Sequence, residues 1–206
     1  MTRVVAVIIA FLARVASGPS VRFIGEPPGQ RQCIFFANHG SHLDVVVIWA
    51  VLPAPTRAKT RPVAAKDYWE KTRLRNYFAT RVFRAVLVDR EGQSLRQLRN
   101  QLDTLVGVLD DGDSLLIFPE GTRGKRGQEM GEFKSGLDYL ARQRPEVDLV
   151  PVYLHNLDRI MPKGEFLPVP QLSRITFGAP IHHEPGEKKD AFLARARAAV
   201  AELATT

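Results

Sequence analysis

The residues of this chain best suited to chemistry are His39 and Asp44, in the run Asn38-His39-Gly40-Ser41-His42-Leu43-Asp44. Imidazole titrates near neutrality, so His39 can take a proton from a hydroxyl as that hydroxyl attacks a carbonyl. A carboxylate on the other ring nitrogen would fix the tautomer and stabilise the imidazolium. The spacing brings the two side chains together if His39 leaves a strand end and Asp44 lies about a turn into the next helix. Asn38 and Ser41 would brace the turn and cap that helix. His42 has no acidic residue four or five positions downstream. On spacing alone the pair is weak, because such pairs arise by chance.

Three further segments carry polar groups to strand ends. Phe118-Pro119-Glu120-Gly121-Thr122-Arg123 follows an apolar strand. Gly121 would let backbone approach a ligand closely, and Arg123 offers a planar fork of donors for a phosphate. Glu120 could hold that arginine or contact an acceptor. Taken alone, the segment also reads as a capped turn with a solvated arginine. Val86-Leu87-Val88-Asp89-Arg90 delivers a second charged pair, with Arg90 as a phosphate contact oriented by Asp89, or simply an exposed ion pair. Val150-Pro151-Val152-Tyr153-Leu154 is an apolar strand with an internal proline, which predicts an edge or bulge position and a wall of the site.

Those segments need a scaffold of alternating strands and helices. Strands are predicted at Val21–Ile24, Gln32–Ala37, Pro62–Ala65, Ala85–Val88, Ser114–Phe118, Leu149–Leu154 and Arg174–Phe177. Helices are predicted at Leu43–Val51, ended by Pro53 and Pro55, and at Tyr68–Phe83, Ser94–Leu109, Phe133 or Lys134 to Gln143, and Lys188–Leu203. The pattern implies an α/β fold, a mixed, largely parallel sheet flanked by helices. In such sheets chemistry gathers beyond the strand ends.

At 206 residues the chain suits one domain, residues 18–206, preceded by an N-terminal helix at 1–17. Val4 to Ala13 is an unbroken apolar run between Arg3 and Arg14, too short to span a bilayer, which takes about 20 residues. It reads as a helix lying at a membrane interface with the arginines near headgroups. An ordinary core helix is the alternative, and a signal peptide lacks a clear cleavage site. The net charge of +7 asks for an anionic partner. Cys33 is the single cysteine, so an intrachain disulfide and a cysteine metal site are excluded, and its apolar run predicts burial. His182-His183 has no third metal ligand at a fitting spacing and reads as solvated loop. The glycines from Gly121 to Gly131 are not followed by Gly-Lys-Ser or Gly-Lys-Thr, so they form no P-loop.

Together the four segments resemble the glycerophosphate and lysophosphatidate (1-acyl-sn-glycerol-3-phosphate) acyltransferase family. Asn38 to Asp44 matches that family's Asn-His-x-Ser-x-x-Asp at every defined position, and Phe118 to Arg123 resembles its third motif as closely. Val86 to Arg90 resembles the second, with the usual preceding glycine replaced by Ala85 or Arg84, and Val150-Pro151-Val152 resembles the fourth. The order agrees, and the resemblance runs from about Val21 to Pro180.

The resemblance implies a fatty acyl thioester donor, on coenzyme A or acyl carrier protein. The acceptor would be a lysophospholipid, by default 1-acyl-sn-glycerol-3-phosphate, with other lysolipids or glycerol 3-phosphate as alternatives. His39 and Asp44 would be the catalytic pair. Arg90, Glu120, Gly121, Thr122 and Arg123 would form the acceptor site, supported by Asn38, Ser41, Asp89 and Pro151. Backbone amides near Gly121 are one source of oxyanion donors. Neither metal nor resident cofactor is called for. The expected location is the cytoplasmic face of an anionic membrane, as a peripheral or monotopic protein, with no nucleic-acid partner. Two rival readings are a serine lipid hydrolase acting through Ser41, which lacks the Gly-x-Ser-x-Gly context, and a nucleic-acid binder using the basic stretch from Arg57 to Arg99, which lacks aromatic platforms.

Overall fold

The computed structural model describes residues 2–27, 29, 31–41, 44–89, 94–124, 130–155 and 173–205. Seven strands form one sheet: β1 (Ser20–Phe23), β2 (Cys33–Ala37), β3 (Thr60–Ala65), β4 (Val86–Val88), β5 (Ser114–Ile117), β6 (Asp148–His155) and β7 (Arg174–Phe177), in the order β1-β7-β6-β2-β5-β3-β4. The run from β6 to β4 is parallel. Strand β7 pairs antiparallel with β6, and β1 is parallel to β7. The sheet is therefore mixed and largely parallel, as the alternation of elements predicts.

Both faces of the central strands are covered, which explains their uninterrupted apolar sequences. All five residues of β2 and all four of β5 are buried. Ile34, Phe36, Leu115 and Leu149 face α6 (Leu95–Asp110), α7 (Gly136–Gln143) and α8 (Lys189–Glu202). Phe35, Leu116, Val150 and Val152 face α2 (Asp44–Val51). Helix α1 (Thr2–Ser17) forms an outer layer, packing Ala10 against Trp49 and Ala50. Burial, with Asp148 close by, pushes the Cys33 thiol up to about 12. Cys33 is a core residue, as its surroundings in the sequence predict.

Two local expectations are corrected. The predicted helix Tyr68–Phe83 is broken into α4 (Lys66–Trp69), α5 (Arg73–Tyr77) and a π-helical turn at Phe78–Val82. The hydroxyl of Thr72 accepts from Arg75 N at 3.2 Å and starts α5 afresh. Helix α2 ends at Val51 ahead of Pro53 and Pro55, as predicted, and Pro55 then sits in the first turn of α3 (Ala54–Lys59), where a missing N–H costs nothing. Pro151 is on an interior strand, not an edge. Alternate residues of β6 face β7, and Pro151 belongs to that set: its carbonyl accepts from Gly178 N at 2.8 Å. The donor it lacks falls where the regular β6–β7 pairing stops, at Val152 opposite Phe177. Arg14 is exposed while its Nε donates to Ala50 O at 2.9 Å.

Just ahead of β4 lie Arg84 and Ala85, where the resemblance expects a glycine. Arg84 has φ 52°, the only described non-glycine residue with a positive φ. Such a conformation is disfavoured for a residue with a Cβ. Its guanidinium offsets that cost by donating to Ala58 O at 3.0 Å and to Asp113 at 2.7 Å.

Candidate active site

Strands β2 and β5 are neighbours, so the loops leaving their carboxyl ends must meet. The β2 loop carries His39, and α2 begins at Asp44, which is its first residue rather than a residue one turn in. His39 Nδ1 lies 2.9 Å from Asp44 Oδ2. The same oxygen accepts from the N–H groups of Gly40 and Ser41, each at 2.8 Å. Three partners on one carboxylate oxygen fix the carboxylate and hold the ring in one plane. The His39 ring also stacks on Phe118, with centroids 4.2 Å apart. With Nδ1 committed to Asp44, Nε2 is the nitrogen left for substrate.

The support residues do more than close a turn. Asn38 continues the β2–β6 ladder past the end of β2: its Oδ1 accepts from Leu154 N at 2.8 Å and its Nδ2 donates to Leu154 O at 3.2 Å. Ser41 is 5% exposed. A buried hydroxyl is poorly placed as a nucleophile, which counts against the serine hydrolase reading.

The β5 loop is tied to the β2 loop twice. Glu120 Oε1 accepts from His39 N at 2.9 Å, and Gly124 N donates to His39 O at 2.9 Å. The second Glu120 oxygen accepts from Gly131 N at 2.9 Å. Both carboxylate oxygens are thus engaged by backbone, and the residue is only 7% exposed. Among the described residues Glu120 braces the backbone of His39 and Gly131 and makes no ion pair with Arg123. Gly121 has φ 70°, and a Cβ there would lie 2.7 Å from Lys134 Nζ. The glycine therefore provides both the left-handed turn and room for the lysine.

His39, Gly121, Arg123 and Lys134 line a cavity of about 210 Å³. Its other walls are mostly apolar, from Val63 and Val88 of the sheet and from Leu102, Leu105, Leu137 and Leu140 of α6 and α7. Thr122 and Arg123 are exposed, and Arg123 forms no ion pair among the described residues. Lys134 was not legible as a site residue. It lies beyond the glycine-rich stretch, and only the bond from its N–H to Pro119 O, 2.9 Å, folds it back over Gly121.

Asp89 lies one residue past the cavity wall at Val88, with its N–H on Gln101 Oε1 at 3.0 Å. Arg90 lies outside the described residues. Pro151 pairs in register with Phe36, within the sheet beneath the site. His183 is not solvated loop: its ring stacks on Phe192 and faces Asp138 at 3.3 Å. No group of three or more metal-ligating side chains occurs among the described residues.

A family model described as Acyltransferase matches residues 20–155, and the chain belongs to this family of acyltransferases. It is 36% identical over 108 residues to a chloroplast 1-acyl-sn-glycerol-3-phosphate acyltransferase of Arabidopsis thaliana, covering 50% of this chain and 29% of that protein. It is 29% identical over 110 residues to a probable 1-acyl-sn-glycerol-3-phosphate acyltransferase of Mycoplasma pneumoniae, covering 52% and 38%. A protein named Taffazin from Dictyostelium discoideum is 30% identical over 155 residues, covering 69% and 51%. The chain thus spans about half or less of the length of these curated relatives. The crystal structure of the 1-acyl-sn-glycerophosphate acyltransferase PlsC from Thermotoga maritima shares the fold, with a TM-score of 0.75 at 20% identity, over 99% of this chain and 80% of that one.

Proposed function

We propose that this chain transfers a fatty acyl group from a thioester of coenzyme A or acyl carrier protein to the free hydroxyl of 1-acyl-sn-glycerol-3-phosphate. The observation that carries the proposal is the His39–Asp44 pair at 2.9 Å, facing an apolar cavity with Arg123 and Lys134 on its lining. His39 Nε2 takes the hydroxyl proton as the oxygen attacks the thioester carbonyl. The tetrahedral oxyanion collapses, the C–S bond breaks, and the imidazolium returns the proton to the departing thiolate. No acyl-enzyme forms, and the scheme calls for no metal or resident cofactor. Near Gly121, the amides of Gly121 and Gly124 are already bonded to Phe118 O and His39 O. Those of Thr122 and Arg123 are the better oxyanion donors. The cavity's leucines suit an alkyl chain, and the two cations suit a phosphate.

Thiol release, followed with both donors over a panel of acceptors and with His39→Ala as the blank, tests the reaction and selects the hydroxyl. Arg123→Lys and Lys134→Met should each raise the KM for lysophosphatidate about tenfold, the worth of one charge-assisted bond. Use of an acceptor without a phosphate monoester should change little. An unaltered acceptor profile would reject the phosphate role.

The enzyme is proposed to work peripherally on the cytoplasmic face of an anionic membrane. Val7, Ile8 and Phe11 of α1 are 60%, 50% and 64% exposed. No helix among the described residues is long and apolar enough to cross a membrane. The protein should float with anionic vesicles, less with zwitterionic ones, and Phe11→Asp should reduce the bound fraction several-fold, as loss of one inserted apolar side chain implies. Salt-sensitive binding to DNA without binding to vesicles would instead favour the nucleic-acid reading.

A further inference from the structure

Arg197 lies on α8, outside the stretch matched by the family model. Its Nε donates to the carbonyls of Met130 and Gly131 at 3.0 and 3.1 Å, and its second terminal nitrogen donates to Met130 O at 2.5 Å. The N–H of Gly131 continues the chain to Glu120 Oε2 at 2.9 Å, and Glu120 Oε1 takes the N–H of His39, also at 2.9 Å. An unbroken line of bonds thus joins the last helix to the backbone of the general base.

The line is built on rigid parts. Phe192, Ala196 and Val200, on the buried side of α8, are 0% exposed and share a core with Leu137 and Leu140 of α7. At the far end, Glu120 is a buried carboxylate with no cation partner among the described residues, held by two backbone donors. Losing either donor would leave a buried charge under-satisfied, so the carboxylate would move to recover one. The fit at the middle link is close, because a Cβ on Gly131 would lie 3.2 Å from Glu120 Oε2.

We propose that Arg197 is a positioning residue for His39, acting through Gly131 and Glu120; this rests on His39 being the base. The guanidinium holds the carbonyls of the 130–131 backbone so that the Gly131 N–H stays aimed at Glu120. Glu120 in turn fixes where the β2 loop presents the imidazole. Arg197 does not line the cavity, so its loss should appear in the chemical step rather than in binding.

The test compares Arg197→Ala and Arg197→Lys, each alone and combined with Glu120→Gln, in the full chain. Arg197→Ala should lower kcat about tenfold or more, the scale of a sub-ångström misplacement of a catalytic group. KM for donor and acceptor should stay within about twofold, since no substrate contact is removed. Arg197→Lys, which keeps one donor, should recover part of the loss. Combined with Glu120→Gln, the loss should fall well short of multiplicative, because both changes cut one line. Amide hydrogen exchange at Gly131 and His39 should accelerate in Arg197→Ala. A normal kcat per folded molecule with only a lowered Tm would overturn the proposal, as would multiplicative losses with unchanged exchange at His39. If the alanine variant does not fold, Arg197→Lys against wild type is read by the same kcat and exchange criteria. His39→Ala remaining active would strike the base assignment instead, a result the exchange measurement separates from failure of the coupling.

Discussion

Replacing His39 with alanine should lower turnover by at least about a hundredfold, the lower range for loss of a positioned general base. The fold should survive. The contacts that position residue 39 in the scaffold run through its backbone, whose N–H donates to Glu120 and whose carbonyl accepts from Gly124. What is lost is the ring, its bond to Asp44 and its stacking on Phe118. The side chain is 18% exposed, so water can enter part of the vacated space. Thiol release under saturating donor and acceptor, paired with a thermal melt, checks both halves of the expectation. Turnover near the wild-type rate would sink the base assignment. Ser41→Ala provides the contrast: a buried residue with no assigned chemistry should retain most activity, and an isolated acyl ester on Ser41 would restore the hydrolase alternative.

Local and continuous features were the ones legible in the sequence. Cys33–Ala37 and Ser114–Ile117 are apolar at nearly every position because both sheet faces are covered, and both runs were readable as strands. The apolar spacing from Leu95 to Leu109 was readable as α6, and the structure adds a capping box of Ser94 and Gln97 at its start. His39 and Asp44 are close enough along the chain for a single strand-to-helix turn to bring them together. Other features depend on contacts distant in sequence. Glu120 was readable as a charged residue after a strand, but its partners, His39 and Gly131, follow only from β5 lying beside β2. Lys134 joins the site through one backbone bond to Pro119, and Arg197 through carbonyls 66 and 67 residues away. Pro151 misled because a missing donor is tolerated where a ladder stops, and sequence does not show where that is. His183 misled in the same way: it lies in a loop, and its partners Asp138 and Phe192 lie on two separate helices.

Asp44→Asn should be nearly as damaging as loss of the histidine, although it changes a single atom. The amide oxygen could take the place of Oδ2 and accept from Gly40, Ser41 and His39 Nδ1. The amide nitrogen would then occupy the site of Oδ1, a buried atom with no hydrogen-bond partner among the described residues. Two N–H donors would be stranded there at a cost of about 1–3 kcal/mol. The opposite orientation is worse, because it sets the NH2 group against two backbone N–H donors. Nδ1 could accept from that NH2 only in the Nε2–H tautomer, which would place an N–H where the base is needed. In either arrangement the neutral amide no longer stabilises the imidazolium that forms as the hydroxyl attacks. Loss of the carboxylate at comparable histidine–aspartate pairs costs about 10⁴ in kcat, and a fall of at least a hundredfold is expected here. A lowered Tm should accompany it, in contrast to His39→Ala, since the substitution disturbs donors at the start of α2. Glutamate should not rescue, because its longer arm cannot hold Oδ2's three donors together within the turn. A variant that kept both the melting temperature and kcat would show that Asp44 neither braces the loop nor orients the base.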